Sequence, residues 1–134
     1  MGQIIDTCVW IDHLRERTPD ATRRVADTAI LAEDALICEP VRFRLLCGAS
    51  RRERPALLRR LETMPLLDIP PRLWPEAAAL ATRACDAGLR VPSVVLLIAA
   101  LCIHHEVALT TFDAHFKELA DLSELRVNLL IRPA

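Results

Sequence analysis

Apolar positions along this chain follow two alternating rhythms: short unbroken runs, and longer stretches with the three-to-four spacing of a helix face. Gln3 to Asp6 reads as a short buried strand ending on a carboxylate, and Thr7 to Leu14 as a helical turn. Thr18-Pro19-Asp20 reads as a helix start, with a hydroxyl at the cap, proline at the first helical position and an acid in the first turn. Val25, Thr28, Ala29 and Ala32 follow at helical spacing. Ala35 to Cys38 reads as a second strand. Pro40 opens a helix that carries Val41, Leu45 and Leu46 and ends near Gly48. Arg54 to Leu61 reads as an amphipathic helix, and Pro65 to Ile69 as a short apolar strand closed by Pro70-Pro71. Leu73, Ala77, Leu80, Ala81 and Ala84 form one stripe of a long helix that Gly88 ends. Pro92 and Ser93 open a helix whose stretch Val94 to Ile103 is apolar all round, which predicts a central helix covered on every side. Val107 to Thr110 reads as a strand, Asp113 to Leu119 as a loop or helix, and Val127 to Ile131 as a last edge strand.

Strands and helices therefore alternate, which predicts an α/β fold with a short, mainly parallel sheet flanked by helices, as one domain over residues 1–134. Ligands of such sheets bind at the carboxyl ends of the strands. Asp6 and Asp113 both fall at or just after strand ends, so the topology puts two acids on one edge of the sheet. Asp6 alone is equally well read as a cap for the helix that follows it.

Composition narrows the picture. The chain has 134 residues, with 52% hydrophobic and 26% charged positions, enough to bury a continuous core. A membrane-spanning helix needs about 20 apolar residues; Val94 to Ile103 is too short, so no membrane role is expected. Met1 to Asp6 shows no basic segment followed by an apolar core, and a cytoplasmic location is expected. Cys8, Cys38, Cys47, Cys85 and Cys102 sit in apolar neighbourhoods without zinc-knuckle or redox-pair spacing, and are read as small buried thiols of a reducing compartment. His13, His104, His105 and His115 add no ligand spacing with these cysteines; His115, close behind Asp113, is read as structural or as a support to that acid. The net charge of −1 excludes nucleic-acid binding by bulk charge. Arg51, Arg52, Arg54, Arg59 and Arg60 nevertheless cluster, either as a solvated helix face or as a surface for RNA phosphates or a partner. Trp10 and Trp74 are read as core or partner-facing residues. With three phenylalanines and no tyrosine, the chain has no obvious base-stacking platform.

Four segments carry a family pattern: Ile4-Ile5-Asp6-Thr7-Cys8-Val9-Trp10-Ile11-Asp12, Pro40-Val41-Arg42-Phe43-Arg44-Leu45-Leu46-Cys47-Gly48-Ala49, Val91-Pro92-Ser93-Val94-Val95-Leu96-Leu97-Ile98-Ala99-Ala100 and Ala108-Leu109-Thr110-Thr111-Phe112-Asp113-Ala114-His115-Phe116. In this order and spacing, over nearly the whole chain, they resemble the PIN-domain ribonucleases of the VapC toxin type. The resemblance implies a PIN-like three-layer sandwich and RNA cleavage dependent on Mg²⁺ or Mn²⁺. It also implies an acid from each segment, with Asp6 and Asp113 present. Where the family has glutamate, just before Leu-Leu-x-Gly, this chain has Arg44. Where it has aspartate, just before Leu-Leu-Ile-Ala-Ala, this chain has Val95. Cys8 replaces the family's usual serine or asparagine.

Mg²⁺ and Mn²⁺ want several oxygen ligands, and a cation relieves the repulsion between clustered carboxylates. Arg44 and Val95 together make the cluster less negative, and Arg44 is expected to pair with Asp6 and Asp113 in the space a metal needs. Thr7 and Thr111 hydroxyls are candidates to hold a metal-bound water. Glu39 points away from the family position, and Asp12 is read as a surface acid. The expectation is a VapC-like toxin with weak or absent metal binding and a disabled site. It is expected to bind a VapB-like antitoxin as a homodimer or hetero-oligomer. Family antitoxins commonly wrap the toxin and direct a basic side chain at the acidic cleft, which Arg44 is expected to mimic from within. A weakly active endoribonuclease using Asp6 and Asp113, and a purely structural binding module, are the alternatives.

Overall fold

A computed structural model of the chain describes residues 2–134. The elements run β1 (Gln3–Ile5), α1 (Thr7–Leu14), α2 (Asp20–Ile30), β2 (Ala35–Leu36), α3 (Glu39–Gly48), α4 (Arg54–Glu62), α5 (Leu73–Asp86), α6 (Ser93–His104), β3 (Ala108–Thr111), α7 (His115–Ala120) and β4 (Val127–Leu129). Among the described residues, these helices flank a four-stranded sheet of order β2-β1-β3-β4 in which every pairing is parallel. Ile4 lies opposite both Leu36 and Leu109, and Thr110 opposite Asn128.

Parallel strands are covered on both faces and so tolerate unbroken apolar runs. Ile4, Ile5 and Leu109 are fully buried, beside Trp10 and Ile98. The chain leaves β1 toward β2 on one side and returns through β3 on the other, so the strand order reverses between β1 and β3. Crevices at such switch points are where open α/β sheets bind ligands, and Asp6 and Asp113 follow these two strands.

Four local expectations are corrected. Pro65 to Ile69 forms no strand; Leu66 makes one isolated bridge to Ile37, and Leu66 and Ile69 are exposed. The prolines at 65 and 70 lack the N–H groups a ladder needs. Helix α2 starts at Asp20 with Pro19 at its cap and no side-chain capping bond, while Thr18 is buried. Its buried face is Thr22, Ala26, Ala29 and Ile30, and Thr28 is exposed with its hydroxyl donating to the Arg24 carbonyl. Only Ile98 to Cys102 of α6 are buried; Val94 to Leu97 are half-covered, and Leu96 lines an open cleft of about 450 Å³ beside α5. Cys47 and Cys85 are exposed, whereas Cys38 and Cys102 are buried.

Candidate active site

The centre of the switch-point crevice is built by the last residues of β1 and β3. The Asp6 amide donates to the Thr110 carbonyl across the sheet at 2.9 Å. The backbone then turns, and the Asp6 carbonyl accepts from Val9 and Trp10 as α1 begins. This geometry buries the Asp6 side chain, which is 3% exposed. A buried carboxylate must be met by donors. Oδ1 accepts from the Thr7 amide at 2.8 Å and Oδ2 from the Thr111 hydroxyl at 2.7 Å. The Cys8 thiol lies 3.4 Å from Oδ2 and 3.3 Å from the Thr111 oxygen.

Proton bookkeeping orients this cluster. Thr111 has one hydroxyl proton, committed to Asp6, and its oxygen accepts the Asp113 amide at 3.0 Å. It can meet Cys8 only as an acceptor, so the thiol keeps its proton. Burial, reinforced by the negative charge of Asp6, pushes the Cys8 thiol above its ordinary range. Cys8 is therefore a donor here and not a thiolate nucleophile. The Thr7 hydroxyl is buried with no hydrogen-bond partner among the described residues.

Asp113 sits two residues past β3 with its side chain 40% exposed. Its Oδ1 accepts both the His115 amide at 2.9 Å and the His115 ring Nδ1 at 2.8 Å. Thr111 thus joins the two acids, holding Asp6 by its side chain and Asp113 by its backbone.

The other two pattern positions make no hydrogen bond or ion pair with these acids. Val95, half-covered on the first turns of α6, packs against the core. Arg44 is exposed on α3, and its guanidinium makes no hydrogen bond or ion pair with Asp6, Asp113 or any other described residue. The expected internal pairing is therefore not present: neutral donors, not a guanidinium, meet the Asp6 charge. Glu39 pairs with Arg42 at 3.5 Å. Asp12, read as a surface acid, is mostly covered and bound to Arg132 Nε at 2.9 Å, and that guanidinium also lies over the Phe112 ring. The described residues contain no group of three or more His, Cys, Asp or Glu side chains placed to hold a metal ion. Cys8 is the participant that sequence reasoning undervalued; its signal was its place two residues after Asp6.

Comparison with known proteins gives concordant results. The model of the PIN domain family matches residues 4–122. The chain is 33% identical over 129 residues to ribonuclease VapC11 of Mycobacterium tuberculosis and to VapC ribonuclease Mb1587 of Mycobacterium bovis, covering 92% of this chain and 95% of each relative. Its fold is similar to that in the crystal structure of VapBC2 from Rickettsia felis bound to a promoter DNA fragment, with a TM-score of 0.77 at 19% identity over 97% of this chain and 99% of that one. It is also similar to FitAcB from Neisseria gonorrhoeae, with a TM-score of 0.70 at 22% identity over 93% and 95%.

Proposed function

Because the chain belongs to the PIN domain family, among the VapC-type ribonucleases, we propose that it is a VapC-type toxin whose hydrolytic site is disabled and which still pairs with a VapB-like antitoxin. The family generally depends on a divalent metal, which supplies an activated water and a counter-charge for the phosphate. The residues present do not fit that role. Of the four acid positions, one is apolar, one is an exposed arginine, and Asp6 already has both oxygens engaged by Thr7 and Thr111. Asp113 alone keeps an oxygen free of internal partners. Two carboxylates, one of them sealed, are a poor ligand set for a hard cation that takes about six oxygens. Metal binding is weak or lost, and hydrolysis with it.

The observation that carries the reading is an apolar, half-covered Val95 and an exposed Arg44 at two of the family's four acid positions. Pairing with an antitoxin is supported by the fold shared with structures of VapBC toxin-antitoxin systems.

The test is the double reversion Arg44→Glu with Val95→Asp, compared with the unaltered chain by calorimetric titration with Mn²⁺ and by cleavage of a structured RNA. The revertant gains both micromolar binding and cleavage, and the unaltered chain has neither. Micromolar Mn²⁺ binding by the unaltered chain, with cleavage abolished by Asp6→Asn, overturns the proposal in favour of a working two-acid nuclease. Co-expression with a VapB-like antitoxin tests the pairing separately.

A further inference from the structure

Three helices meet at one imidazole. His13 stands in the last turn of α1, with its side chain 12% exposed. Its Nδ1 lies 2.6 Å from an Asp27 carboxylate oxygen on α2, and its Nε2 lies 2.6 Å from the Arg60 guanidinium on α4. The Trp10 ring meets it edge-on, with centroids 6.1 Å apart. None of these residues occupies one of the family's four acid positions.

The donor count fixes the state of the ring. A guanidinium has donors only, so the Nε2 that faces Arg60 must carry a lone pair. The single ring proton then sits on Nδ1 and is donated to Asp27. In this arrangement His13 is neutral and held in one tautomer. A second proton can go only to Nε2, and a protonated ring is a donor at both nitrogens. It keeps Asp27, now as an ion pair, but it turns an N–H and a positive charge toward Arg60. Protonation of His13 and its contact with Arg60 therefore exclude each other.

The two ends of α4 are held differently. At its start the Ser50 amide donates to the Glu53 carboxylate at 2.9 Å, and the Glu53 amide donates to the Ser50 hydroxyl at 3.2 Å. These bonds hold the Glu53 carboxyl below its usual range, so they persist in mild acid. Leu57 and Leu61 are buried along the helix. At its end the Arg60 guanidinium has no hydrogen-bond or ion-pair partner other than His13 among the described residues. The charged groups that face the ring are Asp27 from α2 and Arg60 from α4. Arg15, Arg44 from α3, Arg59 and Glu53 line a groove with Arg60. Asp12, next to His13 in sequence, is engaged by Arg132 instead.

We propose that His13 is a pH-sensitive latch between α4 and the α1–α2 pair: the neutral ring holds Arg60, and uptake of a proton releases it. The latch is closed at neutral and alkaline pH and opens as pH falls, loosening the end of α4 while its start and its buried leucines stay in place.

Long-range ¹H–¹⁵N NMR of the imidazoles and amide hydrogen exchange, both on the full chain, test this between about pH 8 and pH 5, the span in which histidine changes charge. At the upper end His13 carries its proton on Nδ1 alone. As the ring titrates, the amides at 60–62 exchange roughly fivefold faster after correction for the intrinsic effect of pH, with the midpoint of the ring itself, while those of β1 and β3 do not change. His13→Gln offers Arg60 an amide oxygen that does not titrate, so slow exchange persists at every pH. Arg60→Met, at an exposed position, gives fast exchange throughout and removes the response. Circular dichroism checks that each variant is folded. A proton on Nε2 at pH 8, no acceleration at 60–62, a response that survives in either variant, or equal acceleration in β1 and β3 overturns the proposal.

Discussion

At the β1–β3 end of the sheet a carboxylate is shut away and met by neutral hydrogen-bond donors; on α3 and α4, the guanidinium groups of Arg44 and Arg59 have no internal acceptor among the described residues. The difference shows where each kind of charge can be kept. Asp6 can be buried because the strand ends supply an amide, a hydroxyl and a thiol around it. No acceptors gather around Arg44, so it remains at the surface. Interior groups still register the Asp6 charge: the thiols of Cys8, Cys38 and Cys102 are all raised, chiefly by burial and further by that carboxylate.

The largest expected effect tests how tightly the interior is sealed. Burial pushes the Cys38 thiol up to about 12, from an ordinary 9.0. Between those values the unfolded chain releases the proton and the folded chain keeps it. Stability from this group is therefore intact below pH 9 and lost as pH rises toward 12, by about 4 kcal/mol at the top of that range. The chain has no tyrosine to obscure the interval. Urea unfolding from pH 8 to 11.5 measures the loss, and Cys38→Ala makes the curve shallower, the raised thiols of Cys8 and Cys102 supplying the slope that remains. Equal slopes for the two proteins would show that the pocket around Cys38 admits water.

Asp6→Ala comes next. It strands the Thr7 amide, the Thr111 hydroxyl and the Cys8 thiol in a dry site, at an expected cost of about 3 kcal/mol. A loss under about 1 kcal/mol by denaturant titration would mean that relief of carboxylate desolvation nearly balances the broken bonds. Thr111→Val keeps the shape but removes the hydroxyl that joins the two acids. About 1–2 kcal/mol is expected, with the Asp113 amide becoming faster in hydrogen exchange.

The architecture was largely legible because it depends on period and punctuation. The parallel sheet follows from alternating elements, and Gly88, at φ 77°, ends α5 where a glycine signals a helix stop. The pair of acids at the sheet edge was legible from topology alone. What could not be read were relations set by tertiary geometry. Thr22 faces inward on α2 although it is polar, so a count of apolar positions misplaces that helix's face by one residue. Asp12 looks like a surface acid until the distant Arg132 covers it. Arg44 lies in an apolar stretch of sequence, and sequence alone cannot say that the stretch turns this position to solvent. Pairing it with Asp6 was the economical reading of a charge thought to be buried, and its exposure removes the premise.

The smallest expected effect is on the open side, and its smallness is informative. Arg44→Ala removes a side chain with no internal partner, so thermal unfolding should move by no more than about 0.5 kcal/mol, within the range of ordinary surface substitutions. Were Arg44 neutralising the crevice acids, its loss would instead leave buried carboxylates uncompensated, at a cost of about 3 kcal/mol or more. The two arrangements thus differ several-fold in one stability measurement on a variant at an exposed position. A near-zero result would place the work of Arg44 outside the folded chain's own energetics and confirm that the Asp6 charge is met by its neutral donors alone.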